Sequence, residues 1–158
     1  MEATLERNGA TDEVDLGELC RSLGFLVRLA QIRVFENYFA ELGQYDMRPG
    51  EFSVLVVIGL NPGVRQGVLA SKLMIKRAHI TKLVRAFEDQ GLVARRIPDE
   101  DRRVVELTLT RAGRAFVDER LDVLTAFDTK VPDGLTVGER DQLVLLLQKL
   151  LGLSEPVR

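Results

Sequence analysis

The strongest constraint in this chain is a change of hydrophobic period at Gly91. Before it, Ile80, Leu83, Val84 and Phe87 recur at i, i+3, i+4 and i+7, one apolar stripe at helical period. After it come two β-rich runs, residues 92–97 and 104–109, with Val105, Leu107 and Leu109 alternating onto one face of the second. Glycine is the residue best able to follow a helix C-terminus in the left-handed conformation. The pattern therefore predicts a helix from about Arg77 to Gln90, then a hairpin with Pro98-Asp99-Glu100-Asp101-Arg102-Arg103 at its tip.

A shorter helix is expected just upstream, from Gln66 to Leu73, with Val68, Leu69 and Leu73 apolar and Ala70 small enough for close helix contact. Two helices joined by a tight connection, the second with a charged free face, form a helix-turn-helix. A hairpin directly behind the second helix makes it a winged helix. That free face carries Lys76, Arg77, His79, Lys82 and Arg85. Lysine and arginine there can neutralise phosphates and hydrogen-bond guanine edges, and Thr81 can reach a base or a phosphate. Arg102 and Arg103 at the wing tip suit a narrow minor groove, where negative potential is concentrated.

These residues also carry a family resemblance. The run G-L-V-x-R-x-x-x-x-x-D-x-R-x-x-x-x-x-L-T-x-x-G, from Gly91 through Gly113, resembles the wing signature of the MarR family of winged-helix transcriptional regulators. The resemblance extends over roughly residues 15 to 153. It implies a mainly α fold with a small β-hairpin wing, an α+β winged helix-turn-helix joined to a helical dimerisation region. It further implies that Asp101 steadies Arg103, and that Arg103 enters the minor groove.

Composition has to be read by region. The formal net charge is −2, which taken alone argues against a nucleic-acid partner. Residues 63 to 112, however, hold 11 Lys and Arg against 6 Asp and Glu, a net of +5, while the remainder holds 11 against 18, a net of −7. Positive charge is thus concentrated in the segment expected to meet DNA. With 158 residues and 46% hydrophobic content, one domain or two tightly joined lobes can bury a core. No apolar run approaches the roughly 18 residues of a membrane span, and no basic-then-apolar leader opens the chain. A cytoplasmic protein without a membrane partner is expected, and the single cysteine fits a reducing compartment.

Four regions are expected: a polar tail over 1–14, an N-terminal dimerisation helix within 15–48, the DNA-binding lobe over 49–113, and C-terminal dimerisation helices over 114–158. The first helix should run from Leu16 to Leu42 with two stripes. One is Leu16, Leu19, Leu23, Leu26, Ala30 and Val34; the other is Phe25, Leu29, Ile32 and Phe35. Pro49 suits the first turn of a second helix, buried because it is apolar almost all round. Val64 should form a short strand beside the wing. Thr110 is placed to cap a fifth helix, and Thr136-Val137-Gly138-Glu139 has capping-box spacing before the last. That last helix bears Leu143, Leu146, Leu147, Leu150 and Leu151 with further leucines to spare. In the resembling family the first and last helices of two subunits interlock, which implies a homodimer on an inverted-repeat operator.

Other chemistry finds little support. His79 is the sole histidine and has no ligand-spaced companion, so no metal is expected. No nucleophilic triad, P-loop or dinucleotide fingerprint is present, so neither an enzyme nor a cofactor is expected. The resemblance implies a small-molecule effector, phenolic or anionic, such as an aromatic acid or its acyl-CoA thioester. Arg28, Gln31, Arg33, Tyr38 and Ser53 are the candidates to bind it. Cys20 lies where some relatives carry a peroxide-sensing cysteine activated by tyrosines. Tyr45 has plausible spacing, but Val34 stands at the other tyrosine's place. Cys20 is expected to be a partly buried, inert filler, with peroxide sensing the alternative. A winged-helix protein–protein module is an alternative of another class.

Overall fold

The computed structural model describes residues 14–43, 48–130, 132 and 134–153. Most of the expected N-terminal tail, the 44–47 connection with Tyr45, and the extreme C-terminus lie outside the described residues. The chain divides into two compact units, Met1–Met47 and Arg48–Arg158.

In the first unit a 3₁₀ helix, Gly17–Arg21, precedes helix α1, Leu23–Leu42. This corrects the expectation of one helix from Leu16. Ser22 is extended, with φ −80° and ψ 112°, and stands at the N-cap of α1, a position that serine favours. Leu16 and Leu19 therefore belong to a separate turn. Tyr38 and Leu42 are buried, and Tyr38 meets the Phe39 ring edge-on at 5.6 Å.

In the second unit α2, Pro49–Leu60, is the central helix. Phe52, Val54, Leu55 and Ile58 are buried, while Leu60 at its end is 75% exposed. It packs on the sheet and on α5. After α2 the chain forms β1 (Val64–Arg65), α3 (Gln66–Lys72), α4 (Arg77–Asp89), β2 (Val93–Arg96), β3 (Glu106–Leu109), α5 (Arg111–Asp128) and α6 (Val137–Leu151). The three strands are antiparallel in the order β1-β3-β2. Val64 lies opposite Leu107, and Val93 opposite Leu109. Leu107 and Leu109 are buried against α2, as the alternation requires.

The helix ends carry the fold's local logic. Gly91 has φ +69°. Its N–H donates to the Glu88 carbonyl and that of Leu92 to the Phe87 carbonyl, both at 2.8 Å. These two bonds form a Schellman termination of α4. The Leu92 carbonyl in turn accepts the Thr110 N–H at 3.0 Å. The Thr110 hydroxyl donates to the Gly91 carbonyl at 2.6 Å and accepts the Gly113 N–H at 2.9 Å. Leu109-Thr110-x-x-Gly113 is therefore a clamp that seats α5 on the end of α4. At the start of α6, Thr136 and Glu139 form the reciprocal box. The Thr136 N–H, and secondarily its hydroxyl, hold the Glu139 carboxyl below its ordinary range. Among the described residues no helix is long and apolar enough to cross a membrane.

A Cβ on Gly113 would stand 1.9 Å from the Leu92 carbonyl oxygen, and a backbone atom has little room to yield. Gly113→Ala should lower unfolding stability by about 2–3 kcal/mol, read as the midpoint shift in urea. An unchanged midpoint would show that the clamp is looser than its geometry.

Candidate nucleic-acid interface

The turn between α3 and α4 repeats the Schellman arrangement without a glycine. The Met74 N–H donates to the Ser71 carbonyl at 3.2 Å and the Ile75 N–H to the Ala70 carbonyl at 2.8 Å. Met74 takes the left-handed position with φ +52°, at a cost of about 1 kcal/mol for a residue with a Cβ. Lys76 then returns to extended backbone and caps α4, its carbonyl accepting the His79 and Ile80 N–H groups. No side chain caps the N-terminus of α4.

From that turn α4 runs with its faces sharply divided. Ile80, Leu83, Val84 and Phe87 are buried. Lys76, Arg77, His79, Lys82 and Arg85 are exposed. The five candidate contacts thus share the solvent side of a helix whose other side is fixed in the core. Thr81 differs from them. It is half-buried, and its hydroxyl donates to the Arg77 carbonyl at 2.8 Å and accepts from Gln66 Nε2 at 3.0 Å. Sequence reasoning missed Gln66, because its partner is fifteen residues away and no periodicity relates them.

The wing supplies a second set of cations. Arg103 is 92% exposed, and the Asp101 carboxylate accepts both its backbone N–H at 3.0 Å and its Nε–H at 3.3 Å. One carboxylate thereby ties the wing-tip backbone to the guanidinium. Arg102 beside it is exposed. Such an exposed ion pair adds little stability, so its consequence is directional. Arg95 pairs with Glu88 at 3.3 Å and ties the first wing strand to the last turn of α4. Arg96 faces Glu106 across the hairpin at 3.9 Å. Neither pair was anticipated from the sequence.

The remaining candidates lie outside α4 and the wing. In the first unit Arg28, Gln31 and Arg33 are exposed and Tyr38 is buried. Arg28 and Arg33 lie five residues apart, roughly 140° around the helix, and so start from different faces of α1. Ser53, in the second unit, is exposed and donates its hydroxyl to the Pro49 carbonyl at 3.0 Å. Cys20 is exposed in the 3₁₀ helix, which corrects its reading as a partly buried filler. The break at Ser22 takes it off α1. Among the described residues no group of three or more His, Cys, Asp or Glu is placed to hold a metal ion.

A model of the MarR family matches residues 47–105. A Thauera aromatica protein, named for transcriptional regulation of the hcr operon, is 30% identical over 144 residues, 90% of this chain and 87% of the relative. The chain belongs to the MarR family. It is accordingly a winged-helix, DNA-binding transcriptional regulator and not an enzyme. Among solved structures, the transcriptional repressor CouR bound to a 23-mer DNA duplex superposes with a TM-score of 0.78 at 33% identity, covering 87% of this chain and 98% of that one. Bordetella bronchiseptica BpsR, studied for regulation of its DNA binding by 6-hydroxynicotinic acid, shares the fold at a TM-score of 0.75 and 24% identity, over 87% of this chain and 96% of its own. Within this MarR-family lobe, exposed cations stand on α4 and the wing, with Arg65 and Lys72 exposed on β1 and α3.

Proposed function

We propose that this MarR-family protein is a homodimeric cytoplasmic repressor that binds an inverted-repeat operator and is released by a small aromatic or anionic effector. The observation that carries the reading is the joint display of cations by α4 and the wing. Lys76, Arg77, His79, Lys82 and Arg85 would face the major groove and its phosphates, while Arg102 and the Asp101-aimed Arg103 would enter the neighbouring minor groove. The first turn of α4 has no side-chain cap, which suits it to a phosphate. Repression is the sense in which the CouR neighbour engages its duplex.

Arg103→Ala should weaken operator binding by about 1–3 kcal/mol, measured by fluorescence anisotropy, with the unfolding midpoint nearly unchanged. Full affinity in the folded variant would remove the wing from the interface.

Dimerisation is supported by apolar surface that a single chain leaves open. Helix α6 buries none of its side chains, and Leu143, Leu145, Leu146, Leu150 and Leu151 are 45–57% exposed. On α1, Leu23, Leu26, Val27, Leu29, Ile32, Val34, Phe35 and Phe39 are exposed as well. So much leucine facing water is what a helical interface, a core cut in half, would leave on each subunit. A dyad would set two recognition helices about one turn of DNA apart. Leu146→Asp or Leu150→Asp should give monomers or unfolded protein by sedimentation velocity. A well-folded wild-type monomer at micromolar concentration would contradict the dimer.

Release would follow if the effector favours a conformation whose helix spacing no longer matches both half-sites. Exposed Arg28 or Arg33 on α1 would supply the charge for an anion, and the BpsR precedent supports an aromatic acid in this fold. The exposure of Cys20 favours one second reading, release by oxidation to a sulfenate or an intersubunit disulfide. A single gel-shift series separates them. Wild type and Cys20→Ser should both leave operator when an aromatic acid or its acyl thioester is added, and both should ignore peroxide. Release of wild type alone by stoichiometric peroxide would make Cys20 the switch.

A further inference from the structure

A polar bridge at the base of α4 joins the two DNA-directed elements through one residue, Gln66. The Gln66 backbone N–H donates to the Val105 carbonyl at 2.8 Å, just before β3. Its side-chain amide donates to the Thr81 hydroxyl at 3.0 Å. That hydroxyl donates onward to the Arg77 carbonyl at 2.8 Å. Gln66 therefore holds the wing where its loop enters β3 through its main chain, and the first turns of α4 through its side chain. The far end of α4 is tied to the wing separately, by Glu88 and Arg95.

We propose that Gln66 and Thr81 form a positioning pair for specific DNA reading: the Gln66 amide and Thr81 hydroxyl set the first turns of α4 relative to the wing, and neither side chain contacts DNA. The inference rests on the functional reading above, that α4 and the wing engage one site together. Thr81, taken from the sequence as a base or phosphate contact, is reassigned by its two internal hydrogen bonds. With its one proton given to Arg77 and one lone pair to Gln66, the half-buried hydroxyl has no second donor function for a base. The bridge bears on specificity rather than adhesion. Non-specific binding to phosphates tolerates a small rotation of α4, whereas simultaneous fit of helix and wing in adjacent grooves does not.

The test uses the full chain, its operator and an unrelated duplex of equal length, with thermal midpoints confirming that each variant is folded. Gln66→Leu leaves the backbone bond to Val105 intact and removes only the amide. It should raise the operator Kd roughly three- to tenfold, the loss of one neutral hydrogen bond, while the Kd for unrelated DNA stays within about twofold of wild type. Thr81→Val should behave like Gln66→Leu, and Thr81→Ser, which keeps the hydroxyl, should restore wild-type discrimination. The double variant Gln66→Leu/Thr81→Val should be no weaker than the worse single change, because both cut the same network. Wild-type discrimination by Gln66→Leu beside a weakened Arg103→Ala would overturn the pair while leaving the functional reading standing. Additive losses in the double variant would make the two residues independent DNA contacts and overturn it too. If wild type itself failed to distinguish operator from unrelated DNA, the functional reading would fall and this inference with it.

Discussion

Much of the winged lobe depends on the carbonyl oxygen of Leu92. It lies just past the left-handed Gly91 that ends α4, accepts the Thr110 N–H, and sits where only a glycine at 113 can pass. Three elements meet there: the recognition helix, the first wing strand and the start of α5. The Thr110 hydroxyl completes the junction by donating to Gly91 and capping Gly113. A short motif that reads as a signature is thus a set of backbone bonds, and its residue types follow from the space and the donors available. The wing leaves α4 at a fixed angle because the chain has no slack at this point.

Charge is distributed to match that architecture. The formal net charge of −2 conceals a basic middle segment within an otherwise acidic chain. Association with DNA depends on the local potential rather than the total. An acidic remainder would also discourage indiscriminate adhesion to nucleic acid. Within the basic segment the cations divide into two kinds. Arg95 and Arg96 face Glu88 and Glu106 and brace the hairpin, whereas Lys76, Arg77, Lys82, Arg85 and Arg102 are exposed without a described ion pair. Arg103 combines the two, exposed yet aimed by Asp101.

The second unit was legible in the sequence wherever periodicity and capping agree. The stripe of Ile80, Leu83, Val84 and Phe87 ends at a glycine that has the left-handed conformation its position requires. Thr110 and the Thr136–Glu139 box cap the helices they precede. Failures came where a signal was blind to local backbone or to distance in the chain. The leucine repeat continues through Ser22, so the pattern could not register the extended residue that divides the 3₁₀ helix from α1. Cys20, on the N-terminal side of that break, is exposed. Charge and polarity alone could not show that the Thr81 hydroxyl, besides its local bond to the Arg77 carbonyl, accepts from Gln66, which only the tertiary fold brings near. Met74 in the turn gave no sign of its left-handed backbone, because the usual marker there is glycine.

Hydroxyl-radical footprinting of the protein on the DNA upstream of its own gene is the most direct test that two copies of this lobe read DNA as a dyad. Two protected patches related by a two-fold axis, with centres about 10 base pairs apart, are expected, each extending into a flanking minor groove that Arg103→Ala leaves open. A single unsymmetric patch, or protection that persists unchanged when Arg103 is removed, would contradict a dimer that reads the major groove with α4 and the minor groove with its wing.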